Sequence, residues 1–112
     1  MLFRSQVVAT RKRSAIAIEM VIPAAVRVEA GWDRTSRAWV LLNHLRIVDI
    51  PLDAASANPA AAIRNRTGVS VADAHLGAVI QSASAEQITV ITSDPGDMRR
   101  VAGDKDITVA VI

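Results

Sequence analysis

Four carboxylates in this 112-residue chain are expected at the starts of helices: Glu29 in AAVRVEAGW and Asp73 in GVSVADAHLGAVI, early in theirs, and Asp94 and Asp97 in VITSDPGDMRRV, just after a strand ends. Carboxylates brought close together repel one another, and a hard divalent cation relieves this by taking oxygen ligands. Each acid also has an ordinary structural role open to it. Ser70-x-x-Asp73 reads as a capping box, Asp94 before Pro95 as an N-cap, and Asp97 as a charge set against a helix dipole. Glu29 reads equally as an exposed helix residue.

Other chemistries lack their residues. The chain has no cysteine, which excludes disulfides, iron–sulfur clusters and thiolate zinc sites. Its two histidines, His44 and His75, cannot build a histidine-rich metal centre. Neither GxGxxG nor GxxxxGK[ST] occurs, and there is no GxSxG or HExxH. His75 reads as a partly exposed surface residue, and Trp32 and Trp39 as packing groups, not stacking platforms for bases.

The elements that must position the acids follow from punctuation and periodicity. Ala15–Ile22 is rich in β-branched residues and predicts a strand stopping before Pro23, in the first turn of a helix that runs to about Ala30 and is closed by Gly31. Thr35 or Ser36 caps a helix over Arg37–His44, with Trp39, Leu42 and Leu45 expected in the core. Arg46–Ile50 is a short strand stopped by Pro51. Asp53 opens a helix with Ala57, Ala61 and Ala62 on its apolar face and an interruption at Asn58-Pro59. Ser70 caps a helix through about Ser82, with Ala72, Leu76, Val79, Ile80 and Ala83 as its stripe. Gln87–Thr92 is a strand, Ser93 or Asp94 caps a helix with Pro95 at its first position, and Ile107–Ile112 is the last strand. Strands alternating with helices, apolar throughout, predict an α/β fold with a mostly parallel sheet and helices on both faces.

Composition fits one domain spanning residues 1–112 with an aliphatic core, since 51% of residues are hydrophobic but only 3% aromatic. Residues 1–46 carry a net charge of +5 and residues 47–112 a net of −3, giving the formal +2. Eleven of the thirteen basic residues are arginine, a group suited to bidentate phosphate contacts and also favoured by GC-rich coding. The first ten residues do not read as a signal peptide, and no apolar run is long enough for a membrane span. A cytoplasmic protein is expected.

Two stretches resemble the PIN-domain ribonucleases, most closely the VapC-type toxins of bacterial toxin–antitoxin pairs. One is the S-x-x-D-A pattern opening an apolar helix, here Ser70, Val71, Ala72, Asp73, Ala74. The other is a strand ending in T-S-D-x-x-D, here Thr92, Ser93, Asp94, Pro95, Gly96, Asp97. PAAVRVEAGW is similar to the family's second-helix segment, whose glutamate falls on Glu29. The similarity runs in order over about residues 15–112. It implies a three-layer α/β/α, flavodoxin-like fold with strand order 3-2-1-4-5, and cleavage of RNA dependent on Mg²⁺ or Mn²⁺. It also implies Glu29, Asp73 and Asp94 as metal ligands, with Asp97 beside them at the catalytic site and Ser93 orienting a carboxylate or water. The expected partners are an RNA substrate, a cognate antitoxin whose C-terminal tail lies in the acidic groove, and a second copy in a homodimer.

The family begins with a strand of the type V-I-V-L-D-x-S-A, whose aspartate is the first metal ligand, and this chain has no acid before Glu19. Two explanations are open: the chain starts downstream of that strand, which is the reading preferred from sequence, or Gln6–Thr10 (QVVAT) or a strand from a partner replaces it. Without a central strand the sheet would be split and leave two unpaired edges. Three acids in place of four predict weak or absent ribonuclease activity. The alternative function is a non-catalytic module of the same fold that binds an antitoxin or RNA. A small-molecule enzyme on such a sheet has no phosphate loop to support it.

Overall fold

A computed structural model describes residues 7–11, 18–84, 87–92 and 95–111, with backbone alone for residues 7–11 and Ile18. The elements in order are β1 (Val7–Arg11), β2 (Ile18–Pro23), α1 (Ala24–Ala30), a 3₁₀ turn (Arg37–Trp39) running into α2 (Val40–His44), β3 (Val48–Ile50), α3 (Ala54–Thr67), α4 (Val71–Ser82), β4 (Gln87–Thr92), α5 (Met98–Ala102) and β5 (Ile107–Val111). The fold is α/β. No helix among the described residues is long and apolar enough to cross a membrane.

The strands form one sheet in the order β3-β2-β1-β4-β5. The β2–β3 and β4–β5 pairs are parallel, whereas β1 is antiparallel to both neighbours. Four strands therefore point one way and the central strand runs against them. The reason lies in the connection: six residues separate Arg11 from Ile18, and a parallel pairing needs a crossover of about a dozen. Val7–Arg11 thus takes the central place, as the alternative of a replacement strand near Gln6–Thr10 has it, pairing Val8 with both Val21 and Val90. The expected pair of unpaired central edges does not form.

Local signals account for most element ends. Gly31 closes α1 at φ 69°, in the left-handed region that glycine enters without a Cβ penalty. Asp53 and Ser56 cap α3 reciprocally, each side chain taking the other's backbone N–H. The Asn58-Pro59 pair does not interrupt α3, which passes through Pro59 with that residue on the exposed surface. Ala57, Ala61 and Ala62 are exposed, and Ala60 and Ile63 face the core instead. Leu45, expected inside, is about half exposed because α2 ends at His44 and the chain leaves the core. The last helix starts at Met98 with Asp97 at its cap position, later than expected, so Pro95 precedes it. Ser93 and Asp94, the caps proposed from sequence, lie outside the described residues.

α4 is the axis of the molecule. Ala72 to Ile80 are buried without a break, not along one stripe, because α4 is covered from several sides. Ala72, Leu76, Val79 and Ile80 join the main core with Ile22, Val90, Met98 and Ile107. Ala74 and Ala78 join a second cluster with Ala60 and Ile63 from α3, Val69 from the loop before α4 and Val101 from α5. Gly77 permits this close approach: a Cβ there would lie 2.7 Å from the Val101 carbonyl oxygen and 2.9 Å from the Ile63 side chain.

Candidate functional site

α1 begins directly after β2, and its contacts run along α4 in the opposite sense: Ala25 meets His75, and Glu29 meets Ser70. Between the two helices opens a cleft of about 480 Å³, lined by Ala24, Ala25, Val28, Glu29, Pro51, Leu52, Val71 and Ala72. It lies just beyond the carboxyl ends of β2 and β3, where open α/β sheets bind their ligands. Val28 is 81% exposed there, with Leu52 and Val71 also largely open.

Ser70 is the N-cap of α4, as its spacing to Asp73 predicts. Its hydroxyl oxygen accepts from the Asp73 N–H at 3.1 Å, and the hydroxyl donates to Glu29 Oε2 at 3.5 Å. One small side chain therefore links the Glu29 carboxylate to the main chain of Asp73 at one end of α4. Glu29 is exposed and Asp73 is 4% exposed. Glu29 is not early in its helix, however, since α1 spans only Ala24–Ala30 and the acid falls in its last turn.

Asp97 is placed differently. Its carboxylate pairs with Arg100 at 2.8 Å, and Arg100 also donates to the Thr67 carbonyl at 2.5 Å. This clamp holds the start of α5 against the loop that leads to Ser70. Asp94 and Ser93 lie outside the described residues. Among the described residues, no three histidine, aspartate or glutamate side chains gather closely enough to hold a metal.

His75 is fully buried, contrary to the partly exposed surface position expected from sequence. The reading failed because α4 is covered on all sides. Its Nδ1 accepts from the Ala25 N–H at 3.3 Å, while Nε2 has no hydrogen-bond partner. Burial pushes the imidazole below its ordinary pKa of 6.5, opposed in part by the Pro51 carbonyl and by Asp53. His75 is therefore a neutral post behind the cleft wall.

A second polar cluster, not anticipated from sequence, lies on the opposite flank of α1. Asp49 on β3 pairs with Arg27 at 2.9 Å and with Arg34 at 3.1 Å. Arg34 stacks over Trp32 at 4.8 Å and donates to the Ile47 carbonyl at 2.6 Å. Trp32, buried against Trp39, donates its indole N–H to Asn43 at 2.7 Å. Both tryptophans pack inside, as expected, Trp39 at the helical spacing that placed it in the core. The one hint in the sequence was an aspartate in the middle of a short apolar strand, RIVDI.

Comparison with known protein families, with curated proteins and with solved structures gave no match.

Proposed function

We propose that the chain is a metal-dependent endoribonuclease of the PIN-domain type, built on a three-layer flavodoxin-like plan and acting as the toxin of a VapC-type pair. The observation that carries this reading is the Ser70 hydroxyl, which takes the Asp73 N–H and donates to the Glu29 carboxylate beside an open cleft at the carboxyl ends of two strands. The strand order β3-β2-β1-β4-β5 supports it, since the family resemblance implies the same order.

Glu29 and Asp73 would hold Mg²⁺ or Mn²⁺, with Asp94 as the third carboxylate. An all-oxygen donor set suits such hard cations. The bound ion would supply an activated water and charge stabilisation at the phosphate. The chain's own residues do the rest. Ser70 orients Glu29, α4 presents Asp73 from a rigid buried helix, and the Asp97–Arg100 pair fixes the loop between them. The partners are RNA, a cognate antitoxin and a second copy, for which exposed Val28, Leu41 and Val111 offer apolar surface. A cytoplasmic site of action goes with this reading.

The alternative, a non-catalytic module binding an antitoxin or RNA, is favoured by one observation: β1 (VVATR) brings no acid to the centre of the sheet. Incubation with RNA and Mn²⁺ separates the two. Slow cleavage that stops with EDTA and in Asp73→Asn supports the nuclease. No cleavage with either cation at high protein concentration leaves the binding module.

A further inference from the structure

The half of the chain from residue 47 onward is net negative, yet four of its five basic residues lie at the ends of α3 and α5, and two of them bond the loop that follows α3. Arg64 Nε donates to the Val69 carbonyl at 3.0 Å, and Arg100 donates to the Thr67 carbonyl at 2.5 Å. Arg66 closes α3 and Arg99 stands beside Arg100 on α5, two helices that touch each other. All four arginines are exposed. Over residues 60–72 and 95–102 the only acid is Asp97, which Arg100 neutralises. Neither Arg66 nor Arg99 has an ion-pair partner among the described residues, so helix-dipole compensation leaves both cations available. That loop ends at Ser70, whose hydroxyl touches Glu29.

We propose that Arg64, Arg66, Arg99 and Arg100 form a phosphate-binding track along which a single-stranded RNA backbone approaches the Glu29–Ser70–Asp73 end of α4. The proposal rests on the ribonuclease reading for its polarity, toward the acids, but not for the binding itself. The basic surface would hold flanking phosphates, and the acidic end would receive one phosphate together with its cation. Both tryptophans are buried, so the described surface offers no aromatic platform on which bases could stack. Binding is therefore carried by phosphates, tolerant of sequence and steeply dependent on salt.

The test is fluorescence anisotropy with a labelled single-stranded RNA of mixed sequence, in EDTA so that nothing is cut, over a salt series. Arg66→Ala/Arg99→Ala removes the two cations that hold no backbone carbonyl. It should lower the slope of log K against log salt by about 1.4, the loss of two single-strand phosphate contacts. Arg66→Lys/Arg99→Lys should keep the slope. Arg37→Ala/Arg46→Ala, exposed on the α2 side of the molecule, should leave it unchanged. The proposal is overturned by no salt-dependent binding of the wild-type chain, by an unchanged slope in the first variant, or by an equal loss in the α2-side control. Equal binding of a polyglutamate peptide would assign the surface to an acidic protein partner instead. Binding that obeys these expectations without cleavage in Mn²⁺ retains the track and removes the nuclease. Mn²⁺-dependent cleavage of RNA with an unaltered slope does the reverse.

Discussion

The two flanks of α1 carry polar groups under opposite rules. On one flank, Arg27 closes a network in which one carboxylate meets two guanidinium groups, and an indole lies under one of them. On the other, the Ser70 hydroxyl links the Glu29 carboxylate to the main chain of Asp73, beside an open apolar cleft. Opposite charges that meet compensate one another within the fold, whereas carboxylates that share a site repel unless a cation lies between them. The first arrangement is closed on itself, and in the proposed nuclease the second would take a cation. On that proposal, stability and function separate across a single short helix.

The largest effect should come from the closed flank. Trp32→Ala removes a buried ring with contacts to Trp39, Arg34 and Asn43 and should cost about 3–5 kcal/mol in urea unfolding. A loss below about 1 kcal/mol would break the comparison, since such a change is ordinary for a surface site. Asp49→Asn leaves two arginines facing an amide and should cost about 1–2 kcal/mol, moderated by the partial exposure of the carboxylate.

A smaller and pH-specific effect belongs to His75, behind Ala25 on the cleft wall. His75 has a folded-state pKa below its ordinary value because burial disfavours the charged ring. The unfolded chain then binds the extra proton first, so stability is full above about pH 6.5 and falls as pH drops toward the folded value. His75→Asn retains an acceptor for the Ala25 N–H but cannot titrate in this range. Urea midpoints measured at about pH 7.5 and about pH 5.5 should therefore differ less in the variant than in the parent. An equal acid loss in both would place the proton uptake elsewhere.

The smallest effect on stability is expected at Glu29. Glu29→Gln removes a charge from an exposed position and should change stability by no more than about 0.5 kcal/mol, in either direction.

The legibility of the molecule in its sequence divides along similar lines. Features set by neighbours in the chain were readable: Gly31 ending α1, Ser70 capping α4, Pro23 at the strand–helix junction, and the spans of β4 and β5. Features set by what comes to lie against an element were not. His75 and the all-round burial of α4 depend on α3, α5 and the sheet enclosing that helix. Leu45 is exposed because α2 ends one residue earlier. The reversal of β1 follows from a connection of six residues, which the sequence shows plainly but which matters only once the strand is known to be central. At the site, the Ser70-to-Asp73 spacing was visible, while its link to Glu29 required the antiparallel passage of α1 along α4.

The central claim is that Glu29 and Asp73 form a cation-binding end and not a structural one. Isothermal titration of Mn²⁺ into the wild-type chain, Glu29→Gln and Asp73→Asn, with urea midpoints taken in EDTA, tests it directly. The account predicts saturable binding by the wild type, weakened at least about tenfold in each variant, with the Glu29→Gln midpoint unchanged or raised. Equal Mn²⁺ affinity in all three proteins, or a Glu29→Gln destabilisation as large as that of Asp49→Asn, would contradict it.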